Sequence, residues 1–367
     1  MKITVSTGNL QKAVANIKSS IGPAKELQFG SIGFHCINNE LTLTAQNGAV
    51  KTQAKIPCLG DDCQFSLDGK NFVAFCGRFA DEDVTLSVAE KMITVKCGGL
   101  TIRLVKTMSE ADDFETASQE PMTVKKDVFK RCIEVATTCS GTNDIRPVLN
   151  GVYFDVSHGT LTTVGCDSFK LAVFKAGFDN DDVSFKAIIP TIALGSILGT
   201  PAMSKDESDV TVIPYRNNKL VISCCDGEFP VHFICNLIAG DYISYERMIP
   251  KACKVQYRID KNAFSEAIAT AQITAAQTYL KFTFEGDNVR VSAVSQTSQT
   301  DIDVPCDCLE GETKESPFVI GFNGVYLAKV LPVMDDLFDI EMTNPTGAAV
   351  LTAEDVTAMV LPVRIKD

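Results

Sequence analysis

Apolar residues gather on one helix face three times along this chain, each time directly behind a short alternating strand. The strand at residues 3–7 leads into Leu10, Ala13, Val14 and Ile17. The strand at 122–126 leads into Phe129, Cys132, Ile133 and Ala136, and the strand at 255–259 into Phe264, Ala267, Ile268 and Ala271. Spacing of i, i+3, i+4, i+7 puts all four side chains on one helix face. A polar residue able to cap the helix stands at each junction: Ser6 or Thr7, Asp127, and Asp260.

The pattern continues in step. Hairpins are predicted at 34–43, 153–161 and 282–291, with Asn39, Gly159 and Gly286 supplying the positive φ of tight turns. Measured at Asn39, Gly159 and Asp287, the turns recur after 120 and 128 residues. A solenoid repeat runs only about 20–50 residues, so the period implies three homologous domains. Each divides again. A second short helix is predicted near 71–79, 191–198 and 324–331, followed by strands at 84–88, 210–213 and 338–342. The chain thus holds six copies of one helix-plus-strands unit. The polar stretch 109–119 and the segment after Pro250 mark boundaries, giving domains at 1–119, 120–250 and 251–367. The fold class is α+β: three homologous domains, each of two helix-plus-antiparallel-sheet units. Three equal domains suggest an arc, which closed symmetry would complete into a ring.

Composition narrows the class. A chain of 367 residues with 45% hydrophobic and 22% charged residues is globular, with a formal charge of −12. Residues 1–6 lack an apolar signal region, so a cytoplasmic location is expected. Residues 187–204 carry no charge, but Pro190 and Pro201 leave only about ten helical residues, where a membrane span needs ~20. The Gly195/Gly199 pair is therefore read as part of a buried helix, and no membrane partner is expected. The 14 cysteines include no CxxC pair, and His35, His158 and His232 are scattered, so no metal site is expected. Phosphate-loop, dinucleotide, nucleophile-elbow and zinc-protease motifs are missing, and the acidic turn 179–182 lacks calcium-loop spacing. No cofactor and no catalytic residue is expected.

Five segments in order carry a resemblance. Residues 146–152 (Arg-Pro-Val-Leu-Asn-Gly-Val) and 166–173 (Cys-Asp-Ser-Phe-Lys-Leu-Ala-Val) resemble the middle domain of the bacterial sliding clamps, the beta subunits of DNA polymerase III. Residues 237–250 resemble the end of that domain; residues 322–327 and 360–365 resemble the third. The resemblance covers the whole chain, with matching length and period. It implies the DNA clamp fold, closing into a head-to-tail homodimeric ring that encircles duplex DNA. It also implies a processivity factor without chemistry of its own. Its partners would be a second copy, the replicative polymerase catalytic subunit, the clamp loader and other proteins with a clamp-binding motif. Retention by topology also explains how an acidic protein can serve DNA, since strong attraction to phosphate is unnecessary.

Residue by residue, the implied DNA-facing set is Lys12, Lys18, Lys25, Lys126, Lys130, Arg131, Asn143 and Arg146. Glu266 and Ser265 stand where the first two domains place basic or amide residues, so the third domain adds little positive charge. The implied partner-peptide pocket comprises Leu149, Cys166, Ser168, Lys170, Leu171, Ile243, Arg247, Met248, Met359, Leu361, Pro362, Val363 and Arg364. The family commonly has Gly-His-Arg where this chain has Ser168-Phe169-Lys170, and Pro where it has Ile243. The partner peptides are therefore expected to differ from the usual ones. The strand at 100–104 is the candidate ring interface on domain 1. Two rival readings remain: a clamp-like scaffold ring that does not thread DNA, and a thiol-dependent enzyme with one low-pKa cysteine.

Overall fold

In the computed structural model, the described residues are 1–23, 27–80, 82–107, 120–204, 208–275 and 279–365, with Leu27 and Gln28 described by backbone alone. Lys25, the boundary stretch 109–119 and Lys366-Asp367 lie outside the described residues. The chain forms two compact units. The first holds Met1–Arg131, Val156–Gly159 and Phe178–Ala239; the second holds Cys132–Asp155, Thr160–Gly177 and Gly240–Asp367.

The first unit contains two antiparallel sheets. One has five strands, in the order Leu59–Gly60, Lys2–Ser6, Asp83–Val88, Met92–Cys97 and Leu100–Val105. The other has eight. Met122–Lys125, Asp209–Tyr215, Lys219–Asp226 and Phe229–Asn236 continue directly into Val50–Pro57, Glu40–Gln46, Ser31–Ile37 and Cys63–Asp68. Strands of predicted domains 1 and 2 thus share one sheet, joined where Val231 lies opposite Ala54. An open strand edge leaves a row of unpaired backbone groups, and the joint pairs two such edges.

The second unit repeats the device. Thr160–Cys166 pairs with Lys170–Gly177, which pairs in turn with Val356–Val360, Leu171 opposite Met359. Beyond it follow Ala349–Thr352, Leu337–Met342, Val255–Asp260, Gln299–Glu310, Asn288–Val294, Tyr279–Glu285 and Phe318–Asn323.

The three long helices form where periodicity predicts them: Thr7–Ile17, Lys126–Cys139 and Lys261–Thr274. All twelve apolar positions named for them are buried. Each large apolar side chain contributes about 1.5–3 kcal/mol by leaving water. Ser6 caps the first helix by accepting the Asn9 N–H at 3.3 Å, and Asp260 caps the third by accepting from Ala263 at 2.8 Å. Asp127 departs from expectation. The helix already begins at Lys126, so Asp127 lies inside its first turn, where its carboxylate accepts the Val128 N–H at 2.8 Å. It still satisfies a free N–H and still favours the positive helix end.

The short helices also form, as Gly69–Cys76, Thr191–Leu198 and Gly324–Val330. In the first unit, Gln11 of the long helix donates to the Cys76 carbonyl at 2.9 Å, tying the two helices together. In the second, a side chain on Gly324 would come within 3.0 Å of Gln272, so that helix pair is equally close. Among the described residues, no helix is long and apolar enough to cross a membrane. The predicted turns use positive φ at Asn38 and Asn39 (51° and 63°), at His158 and Gly159 (49° and 65°), and at Gly286 (57°).

Among the glycines of the second unit, the closest approach is between helix and sheet. A Cβ on Gly165 would lie 1.7 Å from the Ala136 carbonyl oxygen, and Thr163 beside it donates to the Cys132 carbonyl at 3.2 Å. The obstacle is backbone, which cannot swing away. Gly165→Ala is expected to cost about 2–3 kcal/mol, read as a lowered thermal midpoint. Gly195→Ala, where nothing lies within 4 Å, should be neutral or stabilising.

Candidate functional site

Where Lys170–Gly177 joins Val356–Val360, an apolar cluster closes around the joint. It contains Leu149, Val164, Cys166, Leu171, Val173, Tyr245, Ala348 and Met359, edged by Val148, Tyr153, Tyr242, Ile243 and Ile249. Tyr153 and Tyr242 stack at 4.9 Å, and the Tyr242 hydroxyl donates to the Val164 carbonyl at 3.3 Å.

All thirteen residues expected in the peptide pocket fall in this unit, but in different layers. Leu149, Cys166, Leu171 and Met359 are at most 3% exposed and form a floor. Met248 is 44% and Leu361 37% exposed; Pro362 and Val363 are half-buried beside them. Strand-like pairing holds this tail: Leu361 donates to the Phe169 carbonyl at 2.9 Å and Val363 to the Gly321 carbonyl at 2.8 Å. Arg247 and Arg364 are exposed at the rim. Ile243 is half-buried and its carbonyl accepts the Tyr245 N–H at 2.8 Å.

Lys170 corrects its expected role. It is 3% exposed, and its ammonium donates to Asp167 at 2.7 Å. The same carboxylate accepts the N–H groups of Phe169 and Lys170 at 2.7 and 2.8 Å. The cation is therefore spent inside a turn and is not presented to a ligand. Two aromatic residues join the site instead. Phe169, 49% exposed, stacks on Tyr326 at 5.1 Å. Neither was placed in the pocket from sequence. The available signal was an apolar residue in a turn between two strands, where polar residues are usual.

Ser168 is exposed beside a tightly held loop. Its hydroxyl donates to Asp144 at 3.3 Å and accepts from Arg146 at 3.4 Å. Asn150 accepts the Asp144 N–H at 2.7 Å. The Arg146 N–H bond holds the Asp144 carboxyl below its ordinary value, assisted by the Arg146 charge and side chain and by Ser168. Arg146 thus touches a pocket residue, whereas the sequence suggested a DNA contact.

The remaining basic candidates divide between the units. In the first, Lys12 is exposed with its amine 5.9 Å above the Phe229 ring, and Lys18 is exposed. Lys130 and Arg131 are half-buried. Lys126 must be withdrawn from the exposed set: it is 1% exposed and its amine donates to the Cys225 carbonyl at 3.1 Å. Asn143 is exposed in the second unit.

Among the described residues, no group of three or more His, Cys, Asp and Glu could hold a metal ion. Burial pushes the thiols of Cys76, Cys139, Cys235 and Cys306 up to about 12, and Cys166 to about 11. A nucleophilic cysteine needs the opposite shift.

Residues 123–243 match the family model described as the DNA polymerase III beta subunit, central domain. The beta sliding clamp of Staphylococcus aureus strain Mu50 is 24% identical over 347 residues, covering 89% of each chain. Residues 123–243 thus match that family's central domain, and the chain as a whole is similar to the beta sliding clamps. Its fold agrees: the structure of a DNA polymerase III beta subunit from Eubacterium rectale superposes with a TM-score of 0.90 at 19% identity, covering all of both chains. The Bacillus subtilis DNA polymerase sliding clamp gives 0.90 at 18%, again over all of both. These relatives and structural neighbours are sliding clamps, and the raised cysteine thiols give the thiol-enzyme reading no support.

The turn beneath Phe169 depends on the Asp167–Lys170 pair. Asp167→Asn leaves a buried ammonium without its counter-charge, at a cost of about 3 kcal/mol. Asp167→Asn combined with Lys170→Met should recover most of the lost thermal midpoint. Equal losses in single and double variants would show that the charge pair is not the cause.

Proposed function

We propose that two copies of this chain close head to tail into a ring around duplex DNA, and that the cleft around Leu361 tethers the replicative polymerase, the clamp loader and other motif-bearing partners. Domains at 1–119, 120–250 and 251–367 and a cytoplasmic location belong to the same reading. Its main support is an unfinished edge. Leu100–Val105 is the outermost strand of the five-stranded sheet, with Leu100 and Val105 exposed. Within each unit, strands from successive predicted domains meet edge to edge. One further pairing of the same kind, supplied by domain 3 of a second copy, would close the ring without new architecture.

The chemistry of the cleft suits a short peptide. Met248, Leu361 and the Phe169–Tyr326 pair offer apolar contact over a closed floor. Arg247 and Arg364 at the rim suit carbonyl or carboxylate groups. Because Lys170 is committed to Asp167, selectivity on that side shifts from charge toward aromatic contact.

The scaffold alternative draws on one observation. The helix Lys261–Thr274 carries Glu266, and its only lysine, Lys261, is held by Asp336 at 3.0 Å. Retention on nicked circular plasmid, with a matching loader, separates the readings. The clamp should stay on circles and leave once the plasmid is linearised. No retention by a confirmed dimer would favour the scaffold, and equal retention on both forms would indicate ordinary electrostatic binding.

The cleft is tested separately. Phe169→Ala and Leu361→Ala should each weaken binding of a polymerase-derived peptide by tenfold or more, about 1.4 kcal/mol or above. Both positions are partly exposed, so the thermal midpoint should change little. Unchanged peptide affinity would remove this cleft as the partner site.

A further inference from the structure

Three cysteines gather in the first unit, outside every site described above. Cys36 lies in Ser31–Ile37 and Cys63 opens Cys63–Asp68, directly opposite in the antiparallel register. Cys58 follows Val50–Pro57, its N–H donating to the Asn39 carbonyl at 2.9 Å. The sulfurs of Cys36 and Cys58 are 3.3 Å apart, and all three side chains are buried. Directly opposite residues in such a pair have Cα atoms about 4.5–5.5 Å apart, inside the ~4.4–6.8 Å that a disulfide spans. Cys36 therefore has one thiol at 3.3 Å, Cys58, and a second, Cys63, on a backbone position that a disulfide can span. Burial, then the facing Cys36 thiol, push Cys58 up to about 12, so the resting state is the free thiol and reaction is slow.

We propose that Cys36 and Cys58 are a two-electron oxidation site that closes to an intramolecular disulfide with hydrogen peroxide, and that Cys63 is the third thiol able to exchange into that bond. In the first step, one thiolate attacks the peroxide. A sulfur–oxygen bond forms, the oxygen–oxygen bond breaks, and the departing hydroxide leaves as water with the thiol's proton. In the second step, the other thiolate attacks the sulfenic sulfur. The sulfur–sulfur bond forms, the sulfur–oxygen bond breaks, and the second hydroxide leaves as water. The two thiols lose two electrons and two protons; the peroxide takes up both. Attack of the Cys63 thiolate on Cys36 would then move the bond and release Cys58.

The bond would have a structural consequence. Cys58 immediately precedes Leu59–Gly60, whose Gly60 pairs with Ile3 in the five-stranded sheet. Cys36 belongs to the eight-stranded sheet. Oxidation would staple the two sheets of the first unit across a separation of 22 residues.

The test uses the full chain carrying Cys225→Ser, which removes the exposed thiol. The folded protein is treated with hydrogen peroxide, alkylated, and mapped as non-reduced peptides. The expected result is loss of two thiols, a cross-linked peptide joining Cys36 to Cys58, a higher thermal midpoint, and full reversal by dithiothreitol. Adding Cys58→Ser should move the link to Cys36–Cys63; adding Cys36→Ser should abolish both links, with folding checked by circular dichroism. Oxidation confined to other cysteines, or a Cys36–Cys58 link that forms only in urea, overturns the proposal. A Cys58→Ser variant that forms no Cys36–Cys63 link overturns the role given to Cys63.

Discussion

Backbone groups along a strand edge must find partners, and this fold is organised around that requirement. Each unit resolves it by running one domain's sheet into the next. Val231 meets Ala54 in the first unit and Leu171 meets Met359 in the second. A joint of this kind costs little new sequence, because the ladder is read by backbone and the side chains need only alternate. It also decides where the proposed partner site can lie. The C-terminal strand ends at Val360, so Leu361 and the residues after it leave the sheet beside Phe169. The tail that the proposal uses begins where that strand ends, beside the apolar cluster at the joint.

Local periodicity made the elements legible. The three helices, their buried faces and the six-fold unit follow from spacing alone, because the four named apolar residues of each helix can be buried together only on a helix. The turns were legible because Asn and Gly tolerate positive φ. The sheet joints were not legible. Strand Lys170–Gly177 reads the same whether its neighbour is Thr160–Cys166 alone or also Val356–Val360, since pairing partners leave no mark on a strand's own alternation.

Charged side chains were the least legible part of the site. Lys126, Lys130 and Arg131 sit close together in sequence, yet Lys126 is buried against the Cys225 carbonyl while the other two are half-buried. A lysine stem can pack as an apolar chain, so the letter does not say whether the amine reaches water. Lys170 makes the same point from the opposite side. Sequence registered it as a weak replacement for an arginine; the structure commits it to Asp167 and brings the Phe169–Tyr326 stack to the surface. Asp127 shows the smallest such error, one residue of helix register, with its hydrogen-bonding duty preserved.

The distribution of charge then bears on the mechanism. A net charge of −12 opposes tight binding to phosphate. The exposed cations among the expected DNA-facing residues, such as Lys12 and Lys18, could add only modest, salt-sensitive attraction. A protein held on DNA by electrostatics would need more of them; a protein held by closure needs few, and too many would slow its movement along the duplex. The same economy explains why the third long helix can carry Glu266 without contradiction. If closure does the holding, selection acts on the ring edges and the partner cleft, and the polar helix faces are free to drift in charge as long as the sum does not repel the duplex.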